Sequence, residues 1–129
     1  MSELTEQASN SVIVLHQIIA DVFNGDGSKI PQLLGHFAPE FTMVTPTGKR
    51  LPLDEVAALF ARLAGERKGV VITIERCQLI AQFDQQAVIQ YHELQQQGDN
   101  CTARISLAVI DCARNPPRWR YLQETMVVN

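Results

Sequence analysis

The sequence predicts an α+β fold: helices from the first half of the chain packed on a curved antiparallel sheet made by the second half. Two observations carry this. Up to about residue 69 apolar residues recur at helical spacing, and beyond it long runs alternate with period two between short turns. The elements also come as helices and then strands, not as strand–helix–strand units, which separates this order from a parallel α/β architecture.

Residues 4–24 read as the first helix. Val12, Leu15, Ile19, Val22 and Phe23 form its apolar stripe, and Ile18 widens it. The run Asn24-Gly25-Asp26-Gly27 supplies turn conformations that stop it. Ser28 is placed to cap a second, shorter helix carrying Ile30, Leu33, Leu34 and Phe37, with Pro31 in the first turn where a missing N–H costs little. Residues 41–45 alternate and are β-branched, which predicts a short strand, and Thr45-Pro46-Thr47-Gly48 a turn. Pro52 and Leu53 open a third helix with Val56, Leu59, Phe60 and Leu63 on one face, closed by Gly65 and Gly69. Four strands follow, over residues 70–81, 87–97, 101–112 and 118–128. Gly98-Asp99 makes a tight hairpin between the second and third, and Asn115-Pro116-Pro117 turns the chain into the last. Consecutive long strands with short connections predict an antiparallel meander.

Composition narrows the function. The 129 residues fit one domain, 1–129, and 46% hydrophobic residues are enough to fill its core without metals or disulfides. The net charge is -3 and the basic residues form no run, so neither nucleic acid nor a membrane surface is an expected partner. Cys77, Cys101 and Cys112 are odd in number and lack a C-x-x-C pair, which argues against a disulfide framework and a zinc site. Acidic residues near the N-terminus and the lack of an apolar segment after them predict a cytoplasmic protein. No G-x-G-x-x-G or P-loop occurs, and no cofactor is expected.

Strand register locates the candidate site. With Gly98 and Asp99 as turn residues, Gln97 faces Asn100, Glu93 faces Arg104, and Tyr91 faces Ser106. A similar count through the 113–117 turn brings Glu124 close to Arg104. Period two then places Tyr91, Glu93, Arg104, Ser106, Leu122 and Glu124 on one face, and Leu94, Ile105, Leu107, Trp119 and Tyr121 on the other. The row Glu93–Arg104–Glu124 is a cross-strand salt bridge on either face, and beneath the helices it becomes an anchor for an anionic or carbonyl-bearing ligand. The ligand-binding candidates are thus Tyr91, Glu93, Arg104, Ser106 and Glu124. His16, on the flank of the first helix, and His36 are expected in solvent, and no two histidines share a face with a carboxylate in the manner of a metal triad. No Ser or Cys carries a nucleophile motif, so no catalytic residue is assigned.

The strings Val22-Phe23-Asn24-Gly25-Asp26, Leu34-Gly35-His36-Phe37-Ala38-Pro39-Glu40-Phe41, Pro46-Thr47-Gly48 and Trp119-Arg120-Tyr121-Leu122-Gln123-Glu124-Thr125 come in an order that resembles the nuclear transport factor 2-like superfamily. That group includes ketosteroid isomerase, the SnoaL-like proteins and the calcium/calmodulin-dependent kinase association domain. The resemblance implies a cystatin-like cone, a pocket between the first helix and the sheet for a small apolar or anionic ligand, and a homodimer joined through the sheet. It does not carry over the isomerase chemistry: Thr45 stands where the isomerase base would be and Ile18 where its oxyanion tyrosine would be. The expected function is therefore a small-molecule-binding or assembly domain, non-catalytic or of unknown activity. The alternative is a small lyase, isomerase or hydrolase using Glu93 or Glu124 as base and Tyr91 as hydrogen-bond donor.

Overall fold

A computed structural model describes residues 3–128. Helix α1 (Glu3–Phe23) is followed by a short 3-10 turn (Gly27–Lys29), helix α2 (Ile30–Leu34), strands β1 (Phe37–Val44) and β2 (Arg50–Pro52), and helix α3 (Leu53–Leu63). Strands β3 (Val71–Phe83), β4 (Gln86–Gln97), β5 (Asn100–Asp111) and β6 (Arg118–Met126) complete a six-stranded sheet in the order β2-β1-β6-β5-β4-β3. This is the cystatin-like arrangement of three helices on a curved sheet.

Several details depart from the sequence reading, the edge strand β2 among them. The sheet is mixed, because β1 runs parallel to β6, pairing Phe37 with Trp119 and Thr42 with Tyr121. Local turn chemistry defines only neighbours in the chain, and this pair joins segments about eighty residues apart. Phe37 belongs to β1 and not to the second helix, which ends at Leu34. Ser28 is no cap for α2; its hydroxyl donates to the Asp26 carboxylate in the preceding turn.

The hairpin register agrees with the predicted one along its length, from Gln97 opposite Asn100 to Tyr91 opposite Ser106. Between β5 and β6 a bulge at Val109/Ile110 shifts the count. One extra residue reverses the parity of everything beyond it. Trp119 therefore turns to the inner face, fully buried, against the outward position predicted for it. Further irregularities in β3, one beside Arg76 at φ 55, bend that strand around α1.

The core lies between α1 and the concave face of the sheet. Its fully buried members include Leu15 and Val12 from α1, Phe41 from β1, Ile89 and Tyr91 from β4, and Trp119 from β6. Each such side chain contributes about 1.5–3 kcal/mol by leaving water. The C-terminal end of α1 is tied down by the loop after α3. The Val22 and Phe23 carbonyls accept from the Gly65 and Arg67 N–H groups at 3.0 and 3.1 Å. Asn24 donates to the Ala20 and Val70 carbonyls and accepts from the Gly69 N–H at 2.6 Å, joining the helix end to the start of β3. These bonds satisfy carbonyls that the helix leaves open, and they position Arg67 beside the sheet.

Candidate functional site

A cavity of about 170 Å³ lies between α1, α3 and the sheet. Its walls are apolar: Leu15, Ile19 and Phe23 from α1, Leu59, Phe60 and Leu63 from α3. Its floor is polar: Glu93 and Gln95 from β4, Arg104 from β5 and Glu124 from β6. His16 and Arg67 complete the polar side.

Three of the five residues expected from the sequence therefore meet in the cavity, and two stand elsewhere. Tyr91 and Ser106 occupy the same face of the sheet but lie behind the wall, both essentially without exposure. Thr45 and Ile18 are not part of the wall either; β1 reaches it with Phe37 and Met43, and α1 with Leu15, His16, Ile19 and Phe23.

The expected Glu–Arg–Glu row divides into two pairs. The Arg104 Nη1 donates to both carboxylate oxygens of Glu124 at 3.3 Å. Glu93 instead takes His16 as its ion-pair partner, with Nε2 3.2 Å from Oε1, and its Oε2 accepts from the Gln95 amide at 2.6 Å. Arg67 donates to the Gln95 carbonyl oxygen, so a chain runs Arg67–Gln95–Glu93–His16. The Arg67 guanidinium also sits over the Phe23 ring, 5.6 Å from its centroid.

His16 corrects the sequence reading most sharply. It is 3% exposed, not solvated. Its Nδ1 stands 2.8 Å from the Val12 carbonyl, which only accepts, so that nitrogen carries a proton. Its Nε2 lies between the Glu93 carboxylate and the Tyr91 hydroxyl, 3.5 Å away, so a proton there completes an ion pair with Glu93. Burial alone disfavours charge on the ring, but the Glu93 carboxylate and the two hydrogen bonds raise its pKa above the ordinary 6.5. Burial likewise opposes charge on Glu93, yet His16, Gln95 and Arg104 together hold its carboxyl well below the usual range. Glu124 goes the other way: burial, with Glu93 nearby, raises it despite Arg104. Tyr91 packs edge-on against His16, ring centroids 5.3 Å apart, and burial beside two carboxylates raises its phenol well above 10.

A signal for His16 was present in the sequence: it stands four residues after Val12 and three before Ile19, inside the apolar stripe. Gln95 continues the inward parity of Tyr91 and Glu93. Arg67 lies in a loop, where no periodicity marks it. His36, also expected in solvent, is buried in the turn just before β1, and burial lowers its pKa. It borders a second hollow of about 500 Å³ between α1 and the 112–117 loop. Among the described residues no three His, Cys, Asp or Glu side chains are grouped to hold a metal ion. No described helix is long and apolar enough to cross a membrane.

Comparison with known proteins places this geometry. No family model matches the sequence, and no curated protein does. Among solved structures, an NTF-2-like protein of unknown function from Pseudomonas aeruginosa shares 30% of its sequence, with a TM-score of 0.88 over 95% of this chain and 99% of that one. A ketosteroid isomerase-like protein from Erwinia carotovora atroseptica superposes with a TM-score of 0.70 over the full length of both chains at 9% identity. A protein of unknown function with a cystatin-like fold from Nostoc punctiforme does so with 0.69 at 10% identity, over 92% of this chain and 90% of that one. The last two show the fold alone.

Proposed function

The chain belongs to the NTF-2-like family, and within that fold we propose that it is a small-molecule-binding domain whose ligand occupies the cavity between α1 and the sheet, anchored by Arg104. One observation carries the reading. The Arg104 Nε is buried in the cavity wall and donates no hydrogen bond, while its Nη1 serves Glu124. A buried charged donor without an acceptor costs stability, and a ligand acceptor removes that cost. The apolar walls around it fit the usual makeup of a ligand site, with few polar anchors in an apolar sleeve.

The binding reading is favoured over catalysis by the state of the polar groups. Glu93 is a poor base because its carboxyl is held low. His16 is held at Nδ1 by the Val12 carbonyl and at Nε2 lies against Glu93 and the Tyr91 hydroxyl. Tyr91 lies behind the wall. The observation that supports an enzyme is the raised carboxyl of Glu124, a property of general bases. Arg104 engages both its oxygens, which favours an anchoring role.

A thermal-shift screen with several hundred small organic compounds tests the reading. Compounds that raise the melting temperature of the native protein should lose their effect in Leu59→Trp, which fills the cavity mouth. A screen without hits, or hits indifferent to that substitution, overturns it.

The same reading includes a homodimer joined through the outer face of the sheet. Leu94, Ile105, Leu107, Val109 and Tyr121 alternate with the inward residues and are half-buried, forming an apolar strip. The helices occupy the opposite face, and a continuous apolar strip of this kind is characteristic of association surfaces. Sedimentation equilibrium at micromolar concentration should give the mass of two chains, and Leu107→Glu should give one. A one-chain mass for the native protein rejects the dimer.

A further inference from the structure

Resting on the binding reading above, we infer that the ligand is a small monocarboxylate whose apolar body is about the size of one six-membered ring. Two independent features lead to this class.

The first is charge. The cavity is bordered by three cationic side chains, His16, Arg67 and Arg104, and by two carboxylates, Glu93 and Glu124. His16 is matched by Glu93 and Arg104 by Glu124. Arg67 is left with a neutral acceptor, the Gln95 carbonyl, and an aromatic face. Among the described residues Arg67 is thus the cavity arginine without a carboxylate partner, and the unengaged donor is the Arg104 Nε in the same wall. One carboxylate on the ligand neutralises the excess and supplies the acceptor. A dianion would overshoot and meet Glu93 and Glu124 at close range. A cation would add to the excess.

The second is size. A dry protein cavity of about 150 Å³ takes up a benzene molecule. The present one measures about 170 Å³, and its apolar lining includes Leu15, Ile19, Phe60 and Leu63. There is room for one ring or an equivalent short alkyl chain, and for a carboxylate on the arginine side. Fused-ring ligands of steroid size exceed it.

Isothermal titration of the full chain at pH 7 with cyclohexanecarboxylate and with its neutral amide tests the assignment. The carboxylate should bind roughly tenfold to a hundredfold more tightly than the amide, the ratio that one charge-assisted hydrogen bond supplies. Arg67→Gln, at the half-exposed edge of the cavity, should bring the two within about threefold of each other. Arg104→Lys, which keeps the charge beside Glu124 but removes the Nε donor, should weaken the carboxylate selectively. Equal binding of acid and amide, or an acid preference that survives both substitutions, overturns the carboxylate assignment. So does binding of neither probe. In all of these cases the binding reading stands or falls separately, on whether the compound screen yields hits abolished by Leu59→Trp.

Discussion

Replacing His16 by alanine is expected to cost about 3–5 kcal/mol of folding stability, because it leaves the Glu93 carboxylate buried without its cation. The magnitude follows from burial: the two side chains are 4% and 2% exposed, so water cannot take over the role of the imidazolium. Urea denaturation at pH 6 measures it. The double substitution His16→Leu with Glu93→Leu should recover most of the loss, since removing both charges also removes the desolvation cost that the pair was offsetting. A single-substitution cost under about 1 kcal/mol would mean that the pair is solvated.

The pair also has a pH signature with a defined sign. The folded pKa of His16 is raised above 6.5, so its contribution is complete below 6.5 and is lost as pH rises through the folded value. The folded pKa of Glu93 is lowered from 4.5, so its contribution is present above 4.5 and is lost only in acid. Glu124, raised from 4.5, opposes Glu93 on the acid side. The clean window is therefore the alkaline one. As pH rises above 6.5 the native protein should lose melting temperature, and the gap between it and His16→Ala should narrow. A gap constant across that range would contradict the buried imidazolium.

Trp119→Ala is expected to cost about 3–5 kcal/mol, the range for truncating a large aromatic residue in a core. The side chain is fully buried, its indole N–H donates to the Ser11 hydroxyl at 2.9 Å, and its ring meets Tyr91 and His16. This substitution separates the two accounts of the last strand. On the outer face, where unbroken alternation puts it, truncation would cost roughly 0.5 kcal/mol or less. Trp119 is the single tryptophan, so its own fluorescence supplies a second readout: native emission should be blue-shifted and should move red on unfolding. Trp119→Phe keeps most of the apolar volume and should lose less than the alanine variant.

The legible part of the site was the part governed by one short turn. Gly98-Asp99 leaves little choice of register, and the pairs Glu93–Arg104 and Tyr91–Ser106 follow from counting outward. Glu124 was reached through a looser turn and a bulge, and it still arrived beside Arg104. Trp119 lies beyond that bulge, and parity misled there because one inserted residue cannot be seen in an alternating pattern. His16 was misplaced for another reason. A histidine in an apolar stripe is costly to bury unless something pairs with it, and its partner is seventy-seven positions away on another element. The assignment of Glu93 to Arg104 failed in the same way, since cross-strand proximity does not tell which of two nearby cations a carboxylate takes.

By itself, the sequence determined the α+β order, the helical stripe of α1, the hairpin register and the placing of Glu93, Arg104 and Glu124 on one shared face. These rest on period and turn chemistry, which act between near neighbours in the chain. Tertiary structure alone decided that β1 lies parallel to β6, that this face lies beneath the helices, that Trp119 faces inward, and that Glu93 takes its ion-pair partner from α1 and not from β5. It also decided that Arg67 closes the cavity. Each of these depends on the free energy of groups brought together from distant positions, where burial raises the cost of an unpaired charge and so selects the partner.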